Sequence, residues 1–102
     1  MLRVPFKVSN TVDLGEFFTK LSAYLGKEGV LLGTHDLKEN LKGGTIEHYL
    51  LNGVGITVKA YSGNVSRTVK LEVELVSDAT PVHGLYEKIQ KIANESGKTK
   101  LV

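Results

Sequence analysis

Apolar and polar positions alternate along most of this chain, and the period of the alternation changes from one stretch to the next. Across residues 68–76, Val69, Leu71, Val73 and Leu75 alternate with Lys70, Glu72 and Glu74. That period of two predicts a strand with one dry face. A turn is expected at Ser77, Asp78 and Ala79. Beyond it Val82, Leu85, Tyr86, Ile89, Ile92 and Ala93 recur at helical spacing. Thr80 fits the N-cap and Pro81 the first helical position, and Asn94, Ser96 and Gly97 end the helix. A one-faced strand and a one-striped helix each need an apolar partner, and here each can supply the other. Residues 68–93 are therefore expected to organise the chain.

The remaining elements follow from the same two periods. Leu2, Val4, Phe6 and Val8 alternate with Arg3, Pro5 and Lys7. They predict a strand that Pro5, lacking an N–H, confines to a sheet edge. Asp13 followed by Glu16 resembles a capping box. The helix it starts carries Leu14, Phe17, Phe18, Leu21, Tyr24 and Leu25, with Gly26 as its expected stop. Gly15 in the first turn marks either a close approach or a tolerated glycine. Residues 29–34 are an apolar run too short for a helix and read as a strand. His35 to Lys42 reads as a loop or ragged strand end before Gly43 and Gly44. Residues 45–51 and 54–61 flank Asn52-Gly53, the strongest short hairpin signal. Ser62, Gly63 and Asn64 supply the next turn.

The hairpin loop decides which face each side chain shows, because a one-residue slip reverses them all. A two-residue loop pairs Leu51 with Val54 and Tyr49 with Ile56, turning Glu47 inward and His48 outward. A three-residue loop pairs Leu50 with Ile56 and turns Ile46 and His48 inward. The turn chemistry favours the first. Glu47 then lies on the dry side, either at a rim that reaches water or lining a cavity beneath the last helix.

The element order is β-α-β-β-β-β-α. It predicts a single α+β domain over residues 1–102, with a five-stranded antiparallel sheet in the order 2-3-4-5-1 and both helices on one face. That outline is similar to a shortened helix-grip arrangement, in which a curved antiparallel sheet wraps a long C-terminal helix. The resemblance is one of outline only, and outline does not give function.

Composition narrows the chemistry. With 102 residues and 41% apolar side chains, the chain can build one core and little more. The absence of cysteine excludes disulfides, thiol catalysis and thiolate metal sites. Nothing approaches the ~18 consecutive apolar residues of a membrane span, so no membrane partner is expected. Met1 to Pro5 leads into charged alternation and not into a signal segment, so a cytoplasmic setting is expected. A net charge of +2 without blocks of like charge permits nucleic acid but does not point to it. Plentiful Lys and Glu with no Trp and one Gln would suit a thermophilic source, and chance composition as well.

Catalytic signals are sparse. His35, Asp36 and Glu39 form the one local titratable cluster with ligand-like spacing, but they read as solvated loop charges without a converging second pair. His83 reads as a surface residue of the last helix. Ser62, Ser66 and Thr68 sit in no nucleophile motif, and the glycines match no phosphate-binding fingerprint. No catalytic, cofactor or metal residue is assigned, and an enzyme is the lesser expectation. The leading expectation is a non-catalytic binding module that holds a small apolar ligand or a partner segment between the sheet and the last helix, near Glu47, Tyr49 and Tyr86. The alternative is nucleic-acid binding on the outer sheet face through Arg3, Lys7, Lys59, Tyr61 and Lys70, with Glu72 and Glu74 on the same face opposing phosphate. The third is a homodimeric interaction subunit sealed by outward Ile46, Leu50 and Val76. Lys88, Lys91, Lys98 and Lys100 complement the dipole of the last helix.

Overall fold

A computed structural model describes residues 2–8, 12–36, 43–62, 68–78 and 81–97. Its elements are β1 (Leu2–Phe6), α1 (Leu14–Glu28), β2 (Val30–Asp36), β3 (Gly43–Leu51), β4 (Val54–Ser62), β5 (Thr68–Ser77) and α2 (His83–Asn94). The strands form one antiparallel sheet in the order β1-β5-β4-β3-β2, the expected order read from the other edge. The fold is α+β. The expected turns at 9–11 and 63–64, with Glu39, Ser66, Thr80, Lys98 and Lys100, lie outside the described residues.

Both helices cover the same face. Phe6, on the inner side of β1, has Phe17 of α1 at a ring-centroid distance of 6.0 Å and Tyr86 of α2 at 5.0 Å. The inner rows are Val54, Ile56, Val58 and Ala60 on β4 and Leu71, Val73 and Leu75 on β5, all buried. The alternation of the sequence is thus the alternation of the sheet. The centre of the core belongs to α1, whose Phe17, Leu21 and Leu25 are wholly enclosed. Each contributes about 1.5–3 kcal/mol by burial. α1 packs against β2, β3, β5 and α2. In α2 the stripe holds as expected, but only Ile89 is as deeply enclosed, and Leu85, Tyr86 and Ile92 are partly covered. The first helix, and not residues 68–93 alone, organises the core.

The helix ends depart from the sequence reading in three places. α1 runs through Gly26 and stops at Gly29, whose N–H donates to the Leu25 carbonyl at 2.9 Å. A Cβ at Gly29 would lie 2.7 Å from the Leu50 carbonyl oxygen, whereas one at Gly26 meets nothing within 4 Å. The stop is thus set by the close passage of β3, which sequence spacing does not show. The Asp13 carboxylate accepts from the Glu16 N–H at 3.0 Å, as a cap should. The return half of the box is missing: the Asp13 N–H donates to the Ser96 carbonyl at 2.8 Å, and Glu16 lies 3.7 Å from Lys20. Together with the Val12–Gly97 bridge, this stitches the start of α1 to the end of α2. Finally, α2 starts at His83 with Val82 at the N-cap and no side-chain cap, two residues beyond the expected Pro81. Gly15 proves tolerated, since its nearest neighbour to a Cβ is Asp13 Oδ1 at 3.6 Å.

The hairpin has a two-residue loop. Asn52 and Gly53 have φ of 48° and 81°, the positive pair of a type I′ turn. Leu51 pairs with Val54, Tyr49 with Ile56 and Glu47 with Val58. β1 is an edge strand, as Pro5 requires, and β2 is the other. Among the described residues no helix is long and apolar enough to cross a membrane.

Two glycines of α1 should respond oppositely. Gly26→Ala is expected to stabilise the fold by about 0.5–1 kcal/mol through helix propensity. Gly29→Ala is expected to destabilise it by about 1–3 kcal/mol, because the Leu50 backbone must move. Urea unfolding midpoints of the two variants check both signs.

Candidate functional site

The observed register places each candidate residue. Glu47 and Tyr49, two apart on β3, share the inner face. Tyr49 is buried and donates its hydroxyl to Glu47 Oε1 at 2.9 Å; Ser22 of α1 donates to the same oxygen at 2.9 Å. Glu47 itself is half-buried. Such charge-assisted bonds are stronger than neutral ones, and here they clamp α1 onto β3. Burial, then the hydrogen bond to Glu47, raises the Tyr49 pKa above 10.0, with the Ser22 hydroxyl partly opposing. Tyr86 does not join this group. It packs on Phe6 of β1, three strands from β3, or about 14 Å at the usual spacing.

A cleft does open between the sheet and the last helix, at the hairpin end. Leu51, Asn52 and Val54 form one wall, and Pro81, Gly84, Leu85 and Lys88 of the α2 segment form the other, with Tyr24 of α1 between them. Its volume is about 230 Å³. Gly84 sits in the first turn of α2, and a Cβ there would meet nothing within 4 Å. A helical glycine with open space beside it keeps the cleft wide at a propensity cost of up to about 1 kcal/mol. Tyr24 has its pKa raised by burial, then by the nearby Glu28 carboxylate. Among the described residues Lys88 makes no ion pair. The sequence held two signals for this cleft, a glycine in a helix start and a lysine one turn further on. Ser22 was also detectable as a small polar residue four places after Phe18, flanking the apolar stripe.

The outer face carries the nucleic-acid candidates, and most already have partners. Arg3 Nη1 lies 3.0 Å from Glu74 Oε1. Tyr61 donates to Glu72 at 2.8 Å and has Lys70 Nζ 5.2 Å from its ring centroid. Lys59 stands opposite Glu72 in the ladder. Lys7 follows β1 and is exposed. A shallow hollow of about 140 Å³ lies here between Pro5, Thr57, Lys59, Glu72 and Glu74. Of the three apolar residues expected outward, Leu50 is exposed while Ile46 and Val76 are half-buried.

The histidines are dispersed among different roles. His35 and His48 meet edge to face at 5.4 Å on the outer side, and His48 Nδ1 is 3.3 Å from Thr57 Oγ1. Asp36, next to His35 on β2, faces the opposite side, so these two members of the cluster read from the sequence do not converge. Among the described residues no three titratable side chains stand close enough to hold a metal ion. His83 is exposed and pairs with Glu87 at 3.0 Å. No family model matches the chain, and neither a curated protein nor a solved structure matches it.

Tyr49 gives a pH prediction. Tyr49 and Tyr24 hold their protons more tightly folded than unfolded. Once pH passes the unfolded value of 10.0, the unfolded chain loses protons first, so stability is full below that pH and falls above it. Tyr49→Phe is expected to lower stability at neutral pH by about 1–3 kcal/mol, through the lost bond to a charged acceptor. It should also flatten the alkaline fall, leaving the share due to Tyr24. Denaturant midpoints measured at neutral pH and above pH 10.0 test both effects.

Proposed function

We propose that this chain is a non-catalytic binding module whose site is the cleft between the β3–β4 hairpin and α2. The observation that carries the reading is the cleft itself: apolar walls from Leu51, Val54 and Leu85, with Lys88 in its lining. Ligand sites combine such walls with a few placed polar groups. At about 230 Å³ the space is small. A dry cavity of ~150 Å³ accepts a benzene ring, so this one suits a single aromatic or branched apolar group and not a large cofactor. Lys88 adds a preference for a carboxylate beside that group. A partner segment presenting one apolar side chain, or a small aromatic acid, meets both demands. The α2 segment lines one side of the cleft, although α1 is the longer helix.

The partnered charges of the outer face give the nucleic-acid reading no comparable support. Arg3 and Tyr61 are engaged by the carboxylates that would repel phosphate.

Titration with 3-phenylpropionate, followed by amide chemical shifts, tests the proposal. Saturable shifts are expected at Leu51, Val54, Gly84 and Leu85, weaker with the uncharged 3-phenylpropanamide. Gly84→Phe should fill the cleft and abolish them while the melting temperature holds. Absence of saturable shifts around the cleft would overturn the reading.

A further inference from the structure

We infer that the outer edge of β2 docks a second copy of this chain, antiparallel about a two-fold axis near Leu31 and Leu32, joining two sheets into one. This inference is independent of the cleft. It begins with an asymmetry between the two edges. β1 carries Pro5, which lacks a donor, and the exposed Arg3. Proline and charge are the ordinary means of keeping an edge from pairing. β2 has neither over its first five residues. Val30, Leu31 and Leu32 are 59%, 48% and 62% exposed, and Leu50 beside them is 42% exposed. Among the described residues no strand pairs with β2 on its outer side.

The hairpin register fixes the backbone available there. In a two-residue hairpin Leu51 and Val54 exchange hydrogen bonds, so Tyr49 and Glu47 also bond to β4. Leu50, His48 and Ile46 therefore direct their N–H and C=O toward β2, where they meet Val30, Gly33 and His35. Leu31, Thr34 and Asp36 are left with backbone groups directed to the outer edge. Leu32 is the extra residue of a bulge and has no partner on β3.

Charge selects the occupant. The apolar centre is flanked by Lys27 and Glu28 on one side and by His35 and Asp36 on the other, all exposed. An antiparallel copy brings Lys27 of α1 toward Asp36 of its mate on the inner side, while Val30, Leu31 and Leu32 meet their own kind. A parallel copy in register would oppose like charges. The pattern is thus complementary to itself under a two-fold axis, the commonest symmetry of soluble oligomers.

Sedimentation of the full chain over the micromolar range tests the inference. A mass twice 11.1 kDa is expected at high concentration. Leu32→Lys, which buries an ammonium at the axis, should give the single-chain mass with an unchanged circular dichroism spectrum. Lys27→Asp and Asp36→Lys should each weaken association about three- to tenfold, and the double reversal should restore it. A single-chain mass at every concentration would overturn the inference. So would a dimer that persists in Leu32→Lys, which would place the contact on the outer face at Ile46, Leu50 and Val76, or a double reversal that fails to restore association.

Discussion

The positive φ of Asn52 and Gly53 governs everything else in this molecule. Two residues with that conformation close the hairpin with the twist its strands need. They therefore fix Leu51 opposite Val54. From that one pair follow the inward Tyr49 and Glu47, the outward Leu50, His48 and Ile46, and the direction in which β3 offers its backbone to β2. A slip of one residue would put Glu47 in water and His48 in the core, and would remove the acceptor that holds Ser22.

The core built on that register is one-sided. Both helices lie on the inner face, and the outer face is left with mostly polar and charged residues, with Ile46, Leu50, Tyr61 and Val76 among them. The stitching between Asp13 and Ser96 matters here. The two helices are far apart in sequence, and each alone is amphipathic with an incomplete partner. The bond between the first N–H of one and a carbonyl just past the end of the other, beside the Val12–Gly97 bridge, holds them as a single layer. The cleft at the hairpin end is where that layer does not fully reach. α2 is short, begins at His83 and carries a glycine in its first turn, so a cleft stays open beside the buried Leu51 and Val54.

Much of this was legible in order along the chain. The strand positions, the outward and inward sets of β4 and β5, the edge position of β1 and the two-residue loop could all be read from local patterns. Period-two burial, Pro5 and Asn52-Gly53 are each local physical constraints. The capping by Asp13 was legible, but its missing return bond was not, because Ser96 lies 83 residues away. Of the candidates Glu47, Tyr49 and Tyr86, the first two bond to each other, while Tyr86 is set beside Phe6 by the sheet order.

By itself the sequence determined which residues are apolar on which period, and therefore the elements, their faces and the hairpin register. Those depend on neighbours a few residues apart, or on a turn whose backbone angles are restricted by two side chains. Only the tertiary structure decided that α1 holds the centre, that it ends at Gly29 and not Gly26, and that Gly84 opens a cleft. Each of these depends on how closely two distant segments approach: the Leu50 carbonyl at Gly29, β1 at Tyr86, the hairpin beneath α2. Spacing along a chain carries periodicity, but not the distance between surfaces that meet only after folding.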